Sequence, residues 1–364
     1  MENLELNVKE KIGQMLIIAL HEKEITEETI NIIQKYKIGG VILYRRDYDN
    51  YSEMLEKINK LKSINRENPI PLFISIDQEG GRVNRIPYEI KNIKSANKIA
   101  NTQDADIVKQ SAKIISKILK SFGIGMNYAP VLDIKRFEED HAIGDRCFGG
   151  NKEDVSKYGV EFMKEMSNQG VLPVVKHFPG HGSTTKDSHI SLPVVTKSRE
   201  ELEKDDMYPF KEAIKNGADG IMVGHILIKD IDKKYPASLS KEIIHKYLIE
   251  KLKYKGLIIT DDLKMLAVRL RYSPTKAVEL AIKAGNDMVM TGLSYKTIER
   301  IINHIAKKVQ KGKISETAIN KSVDKIIKMK QKYNVNDNKV TGIDIEKINK
   351  EIEELNNKIE NLSK

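Results

Sequence analysis

Three of the eight histidines of this chain fall between residues 177 and 189. They sit in Lys176-His177-Phe178-Pro179-Gly180-His181-Gly182 and, four residues on, in Asp187-Ser188-His189. An imidazole with a pKa near ~6.5 both donates and accepts a proton at neutral pH. A carboxylate beside it orients the ring and stabilises its cation, so Asp187 and His189 read as an acid–base pair. His177 and His181 are four apart, a metal-binding spacing on a helix, but Pro179 and Gly180 lie between them and deny them a helical face. No H-E-x-x-H accompanies them, so no metal is expected. Further on, Thr260-Asp261-Asp262 closes an apolar run with two carboxylates. That ending is costly unless the charges face a polar cavity, although Asp262 alone also reads as a helix cap. Other apolar runs end in the same way: at Arg45, Arg46 and Asp47; at Asp77 to Arg85; at Asp133, with Asp145 and Arg146 beyond; and at His225.

These groups need a frame that brings run ends together. Eight short apolar runs recur: Met15–Leu20, Gly40–Tyr44, Leu72–Ile76, Gly125–Ile134, Val171–Val175, Gly220–Gly224, Gly256–Thr260 and Met288–Thr291. Most lack polar alternation, as strands covered on both faces do. Helically spaced segments lie between them, as in Tyr51–Leu61, Ile107–Leu119, Tyr208–Ile214 and Ala277–Ile282. Eightfold strand–helix alternation predicts an α/β fold, a (β/α)8 TIM-type barrel, over residues 1–335, with the polar residues gathered at the C-terminal mouth. An open doubly wound sheet fits less well, because no G-x-G-x-x-G follows the first run and no P-loop occurs.

The chain has 364 residues, 40% of them hydrophobic, which suffices for a packed core and excludes a mainly disordered protein. One cysteine, Cys147, excludes an intrachain disulfide and a four-cysteine zinc site. With 62 Lys+Arg against 52 Asp+Glu the net charge is +10, and Lys296–Lys332, with eleven basic and three acidic residues, carries +8 of it. Those lysines punctuate amphipathic helical sequence, the pattern of a solvated helix face. Without a zinc-finger, RNP or basic-zipper motif, nucleic acid is not an expected partner. No run reaches the ~18 apolar residues of a membrane helix, and nothing resembles a signal peptide, so a cytoplasmic location and no membrane partner are expected.

Residues 336–364 stand apart as a polar joint and a helical tail. Ile345, Ile348, Ile352, Leu355, Ile359 and Leu362 follow steps of three and four, a coiled-coil-like seam. The seam fits equally a helix docked on its own barrel or a homodimer formed through residues 345–362.

The Lys176–Gly182 and Asp187–His189 stretches together resemble the signature of bacterial β-N-acetylhexosaminidases of glycoside hydrolase family 3. Ile76-Asp77-Gln78-Glu79-Gly80-Gly81-Arg82-Val83, Ile143-Gly144-Asp145-Arg146-Cys147-Phe148-Gly149 and Thr260-Asp261-Asp262-Leu263-Lys264-Met265 are similar to further family motifs, in family order, over about residues 8 to 330. The resemblance implies a nucleophile at Asp261, an acid/base at His189 with Asp187 as its partner, and N-acetylglucosamine-binding roles for Asp77, Arg85, Arg146, Lys176 and His177. It implies no cofactor. Retaining hydrolysis needs one group that attacks the anomeric carbon and a second that protonates the leaving oxygen, here a His–Asp dyad in place of the usual second carboxylic acid. The expected activity is exo-acting and retaining, releasing N-acetylglucosamine from N-acetylglucosaminyl-anhydromuropeptides in cell-wall recycling. Two alternatives are a phosphorylase with the same site and a non-catalytic barrel acting as a scaffold through its tail. Ser183, Cys147 and Thr260 depart from the usual Asp, Ser and Ser of the family pattern without touching the named roles.

Overall fold

The structure, a computed structural model, describes residues 5–136, 142–182 and 192–363. Each of the eight expected runs supplies a strand: β1 (Leu16–Ala19), β2 (Gly40–Leu43), β3 (Phe73–Ile76), β4 (Met126–Asn127), β5 (Leu172–Phe178), β6 (Gly220–Val223), β7 (Leu257–Thr260) and β8 (Val289–Thr291). They pair in parallel, in chain order, and β8 pairs with β1 through Leu16 opposite Val289. A bridge between Ile259 and Met288 joins β7 to β8 and brings the ring to closure. This is a TIM-type (β/α)8 barrel. All eight strands are buried throughout, inside the ring and beneath the helices, which is why their sequences show no polar alternation.

Two strands differ from expectation. The fourth run spans ten residues, yet β4 has two. Pro130 has no N–H to give a ladder, and beyond it Val131 makes only isolated bridges to Cys147 and Lys176. The fifth strand instead runs three residues past Val175, with a register slip between Val175 and Phe178. Lys176 and His177 therefore stand on the strand itself. A two-stranded pair, Val194–Val195 with Leu227–Ile228, lies outside the barrel and was not expected.

The helices follow the periodic segments and start at side-chain caps. Asn50 caps Tyr51–Asn65, Asp104 caps Ala105–Ser121 and Asn151 caps Lys152–Asn168, each accepting a first-turn N–H. Of the basic segment, Tyr295–Gln310 and Glu316–Lys332 are helical. Its lysines are not all solvated, because Lys330 is only 1% exposed. Its Nζ donates to Gln14 Oε1 at 3.0 Å and lies 5.2 Å from the Phe73 ring centre, beneath the starts of β1 and β3.

The tail forms a helix, Ile345–Leu362, capped by Asp344. Ile348, Ile352, Leu355 and Ile359 are buried, packed onto Ala96–Asn101 and Ala105–Ser121. Burial of each such side chain is worth roughly 1.5–3 kcal/mol. Lys91, Lys94 and Lys117 pair with Glu353, Glu360 and Glu351 along the edges. Of the two alternatives for the seam, the structure shows the helix docked on the chain's own barrel, with Leu362 at its end 52% exposed.

Candidate active site

The C-terminal ends of the strands surround a cavity of about 630 Å3, lined by Tyr44, Asp77, Glu79, Arg85, Arg146, Lys176, His177, His181, Met222, Asp261 and Asp262, among others. Six residues expected at the site, Asp77, Arg85, Arg146, Lys176, His177 and Asp261, meet there. The other two, Asp187 and His189, lie outside the described residues.

Lys176 projects from β5 into a carboxylate pair, with Nζ 2.7 Å from Asp77 Oδ1 and 2.7 Å from Glu79 Oε1. Arg146 holds the other side of Glu79 with both arms of its fork, Nε to Oε2 at 2.9 Å and Nη2 to Oε1 at 2.7 Å. Bidentate, charge-assisted bonds of this kind fix geometry as well as charge. Burial opposes ionisation of Glu79, but Arg146 and Lys176 outweigh it and hold the carboxyl well below the ordinary range. Sequence reasoning quoted Glu79 within its motif without assigning it a role.

The loop after β3 that carries Asp77 to Arg85 needs special backbone. Gly81 has φ +55°, and a Cβ there would stand 2.6 Å from Ser95 Cβ. Its N–H donates to Ile93 O at 2.8 Å, and its carbonyl accepts from Asn92 Nδ2 at 2.6 Å. Gln78 Oε1 accepts the Arg85 N–H at 2.8 Å, and Asn127 at the end of β4 exchanges two 2.9 Å bonds with the Gln78 backbone.

Asp133 is a second buried anchor that the sequence did not single out as a site residue. It is fully buried and accepts from His177 Nδ1 at 2.6 Å, from the His181 N–H at 2.6 Å and from the His177 N–H at 3.2 Å. Burial opposes its charge, and His177 beside it more than compensates, so its pKa falls. With Nδ1 given to Asp133, a neutral His177 presents Nε2 as an acceptor. Among the described residues no three His, Cys, Asp or Glu side chains converge as metal ligands.

Asp261 leaves the end of β7. Its N–H donates to Val223 O at 3.0 Å, and its Oδ1 accepts from the Asp262 N–H at 2.7 Å. Asp262 does not cap a helix. Its Oδ1 accepts the N–H groups of Lys264 at 2.8 Å and Gly292 at 3.0 Å, tying the loop after β7 to the end of β8. Burial pushes its pKa up. His225, fully buried, bonds Ser238 Oγ through Nδ1 at 2.7 Å and the Asp262 carbonyl through Nε2 at 3.0 Å. A carbonyl only accepts, so Nε2 carries a proton. His225 thereby fixes the Asp261–Asp262 turn from below.

Comparison with known proteins gives the family. The Glycosyl hydrolase family 3 N terminal domain matches residues 7–329, and the chain belongs to that family. Beta-hexosaminidase A of Pseudoalteromonas piscicida is 32% identical over 329 residues, 84% of this chain and 55% of that protein. Beta-hexosaminidase LpqI of Mycobacterium tuberculosis is 28% identical, over 89% of this chain and 83% of its own length. A solved glycoside hydrolase family 3 beta-N-acetylglucosaminidase from Paenibacillus superposes with a TM-score of 0.92 at 31% identity, over 97% of this chain and 69% of that one. The chain thus spans about half of the first of these relatives.

Proposed function

We propose that the chain is an exo-acting, retaining β-N-acetylhexosaminidase. The observation that carries this reading is the cavity that Asp261 lines together with a charged group, Asp77, Lys176, Glu79 and Arg146, and with His177. The relatives named above as beta-hexosaminidases support it.

In this reading Asp261 Oδ attacks the anomeric carbon and the glycosidic C–O bond breaks. His189, oriented by Asp187, gives its proton to the departing oxygen and then takes one from the water that cleaves the glycosyl ester. Asp77 accepts from sugar hydroxyls, while Lys176, Arg146 and Arg85 donate to them. Peptidoglycan fragments of the N-acetylglucosaminyl-anhydromuropeptide class are the proposed substrates, on the strength of the family resemblance. No described helix is long and apolar enough to cross a membrane.

The test is p-nitrophenol release from p-nitrophenyl N-acetyl-β-glucosaminide, with the β-glucoside in parallel and with and without phosphate. The acetamido sugar alone is turned over, to free sugar under both conditions. Asp261→Ala loses on the order of 10^3-fold or more in kcat, and His189→Ala loses less with this good leaving group. No turnover by folded protein rejects the reading, and sugar 1-phosphate in the phosphate arm replaces it with phosphorolysis.

A further inference from the structure

Along the chain the lysines after residue 295 read as a solvated helix face, but the fold gathers part of them into one unbalanced wall. Helix Tyr295–Gln310 buries Tyr295, Ile298, Ile301, Ile302, Ile305 and Val309 against the barrel. At about 100° per residue, Lys296, Arg300, Lys307, Lys308 and, at the C-cap, Lys311 share about 120° of arc away from that apolar stripe. The basic stripe runs ~22 Å along the helix axis. Glu299, the one acid of this helix, lies on the opposite flank, where it pairs with Lys35 at 2.7 Å and accepts from Tyr36 Oη at 2.6 Å.

Helix Pro274–Ala284 packs alongside and adds Lys276 and Lys283. Its one acid, Glu279, is 3% exposed and already surrounded: Lys283 stands at 2.7 Å, His304 at 3.0 Å, Lys308 at 3.5 Å and Lys276 at 3.7 Å. The acids of the next helix, Glu242 and Glu250, are taken by Lys246 and His245. Lys296, Arg300, Lys307 and Lys311 are exposed and pair with no described carboxylate. Seven Lys and Arg side chains against one Glu leave six net positive charges on two adjoining helices. A field of one sign on that scale attracts an extended anionic partner.

We infer that this wall docks on an anionic lipid surface, by contact with headgroup phosphates and without entering the acyl layer. Clusters of this size on an amphipathic helix suit acidic headgroups. The apolar stripe of Tyr295–Gln310 is spent on the core, so no apolar anchor is left to insert and the attraction is electrostatic. Nucleic acid fits less well. Single strands need aromatic platforms, and the one aromatic side chain of the two helices, Tyr295, is buried. A duplex is a cylinder and meets the convex outer wall of a barrel along little more than a line, whereas a fluid leaflet rearranges its headgroups around it. None of these residues lines the sugar cavity, so docking by this wall leaves the mouth open. Docking does not depend on the reaction carried out at Asp261.

The test is co-sedimentation of the full chain with vesicles of phosphatidylcholine alone and of phosphatidylcholine with about one-third phosphatidylglycerol, at about 0.1 M and about 0.5 M salt. Lys307→Glu with Lys311→Glu reverses two exposed charges of the wall, and Lys60→Glu with Lys113→Glu makes the same change at exposed positions on other helices. Wild type is expected to bind the anionic vesicles at least about tenfold more tightly at the lower salt, and the neutral vesicles not at all. The first variant loses at least about thirtyfold in affinity for the anionic vesicles, the second less than about threefold. Melting temperatures close to that of wild type show that both variants are folded. No binding to the anionic vesicles, equal binding to both compositions, or equal loss in the two variants overturns the inference. Duplex DNA, added at a charge concentration matched to the anionic lipid, tests the other polyanion: displacement of the chain from the vesicles overturns the lipid assignment, and retention upholds it.

Discussion

At the scale of single residues, the cavity is governed by one carboxylate that carries no catalytic role of its own. Glu79 neutralises Arg146 and Lys176 together, and so sets where both donors point. Glu79→Gln keeps the shape and removes the charge, leaving two buried cations with Asp77 as their nearest described acid. The expected result is a KM raised by about tenfold, a smaller change in kcat and a lower melting temperature. The pH dependence follows from the sign of its shift. A lowered carboxyl pKa stabilises the fold in full above the ordinary value of ~4.5, and that stabilisation is lost as pH falls from there through the folded value. Thermal melts should therefore show the gap between wild type and Glu79→Gln narrowing from pH 7 toward pH 3, and a constant gap would contradict the assignment. Asp261, Lys176 and Arg146 were legible in the sequence because they end apolar runs or fill motifs. Glu79 and Asp133 sit in the same stretches, but their importance lies in distances of under 3 Å to partners 67 and 44 or more residues away. Spacing along the chain cannot report such contacts.

Among the elements, the tail helix bears on the site through the loop it clamps. Asn349 accepts the Lys91 N–H at 2.7 Å and donates to Glu89 O at 2.8 Å. Asn356 repeats the pattern one heptad on, accepting from Lys94 N–H at 3.2 Å and donating to Asn92 O at 2.9 Å. Residues 92 and 93 in turn hold the Gly81 backbone, within the loop that delivers Asp77, Glu79 and Arg85. The route from tail to cavity is continuous hydrogen bonding. Asn349→Ala with Asn356→Ala should raise KM severalfold, on the order of 1 kcal/mol in binding, while kcat stays within about twofold. A fall in melting temperature with KM unchanged, assayed well below that temperature, would confine the helix to stability. The heptad steps made the apolar face of this helix readable, but an apolar stripe does not say what covers it. The two asparagines, which fix its register on the loop, looked like ordinary solvent-facing positions.

For the molecule as a whole, strand count and order were legible because a parallel barrel writes itself as repeated apolar runs, and strand lengths were not, because Pro130 and the slip in β5 act locally. Charge was the least transparent property. The basic stretch from Lys296 to Lys332 contains both solvated lysines and Lys330, which seals the closed end of the barrel opposite the cavity. Burial pulls the Lys330 pKa down to about 7, with distant Asp337 opposing. In the unfolded chain the amine keeps its ordinary value of 10.5. Below about 7 both states are protonated, and the full cost of a buried ammonium falls on the fold. Between about 7 and 10.5 the unfolded chain binds more protons than the folded one, so stability rises with pH across that window. Lys330→Met has no proton to bind in either state and lacks this slope, although it leaves Gln14 Oε1 without its donor, a cost of about 1–3 kcal/mol at every pH. Urea unfolding at pH 6.5 and pH 9.5 should therefore show wild type gaining a few kcal/mol relative to Lys330→Met at the higher pH. Parallel pH curves for the two proteins would mean that the ammonium stays charged in the folded state, held by Gln14 and the Phe73 ring.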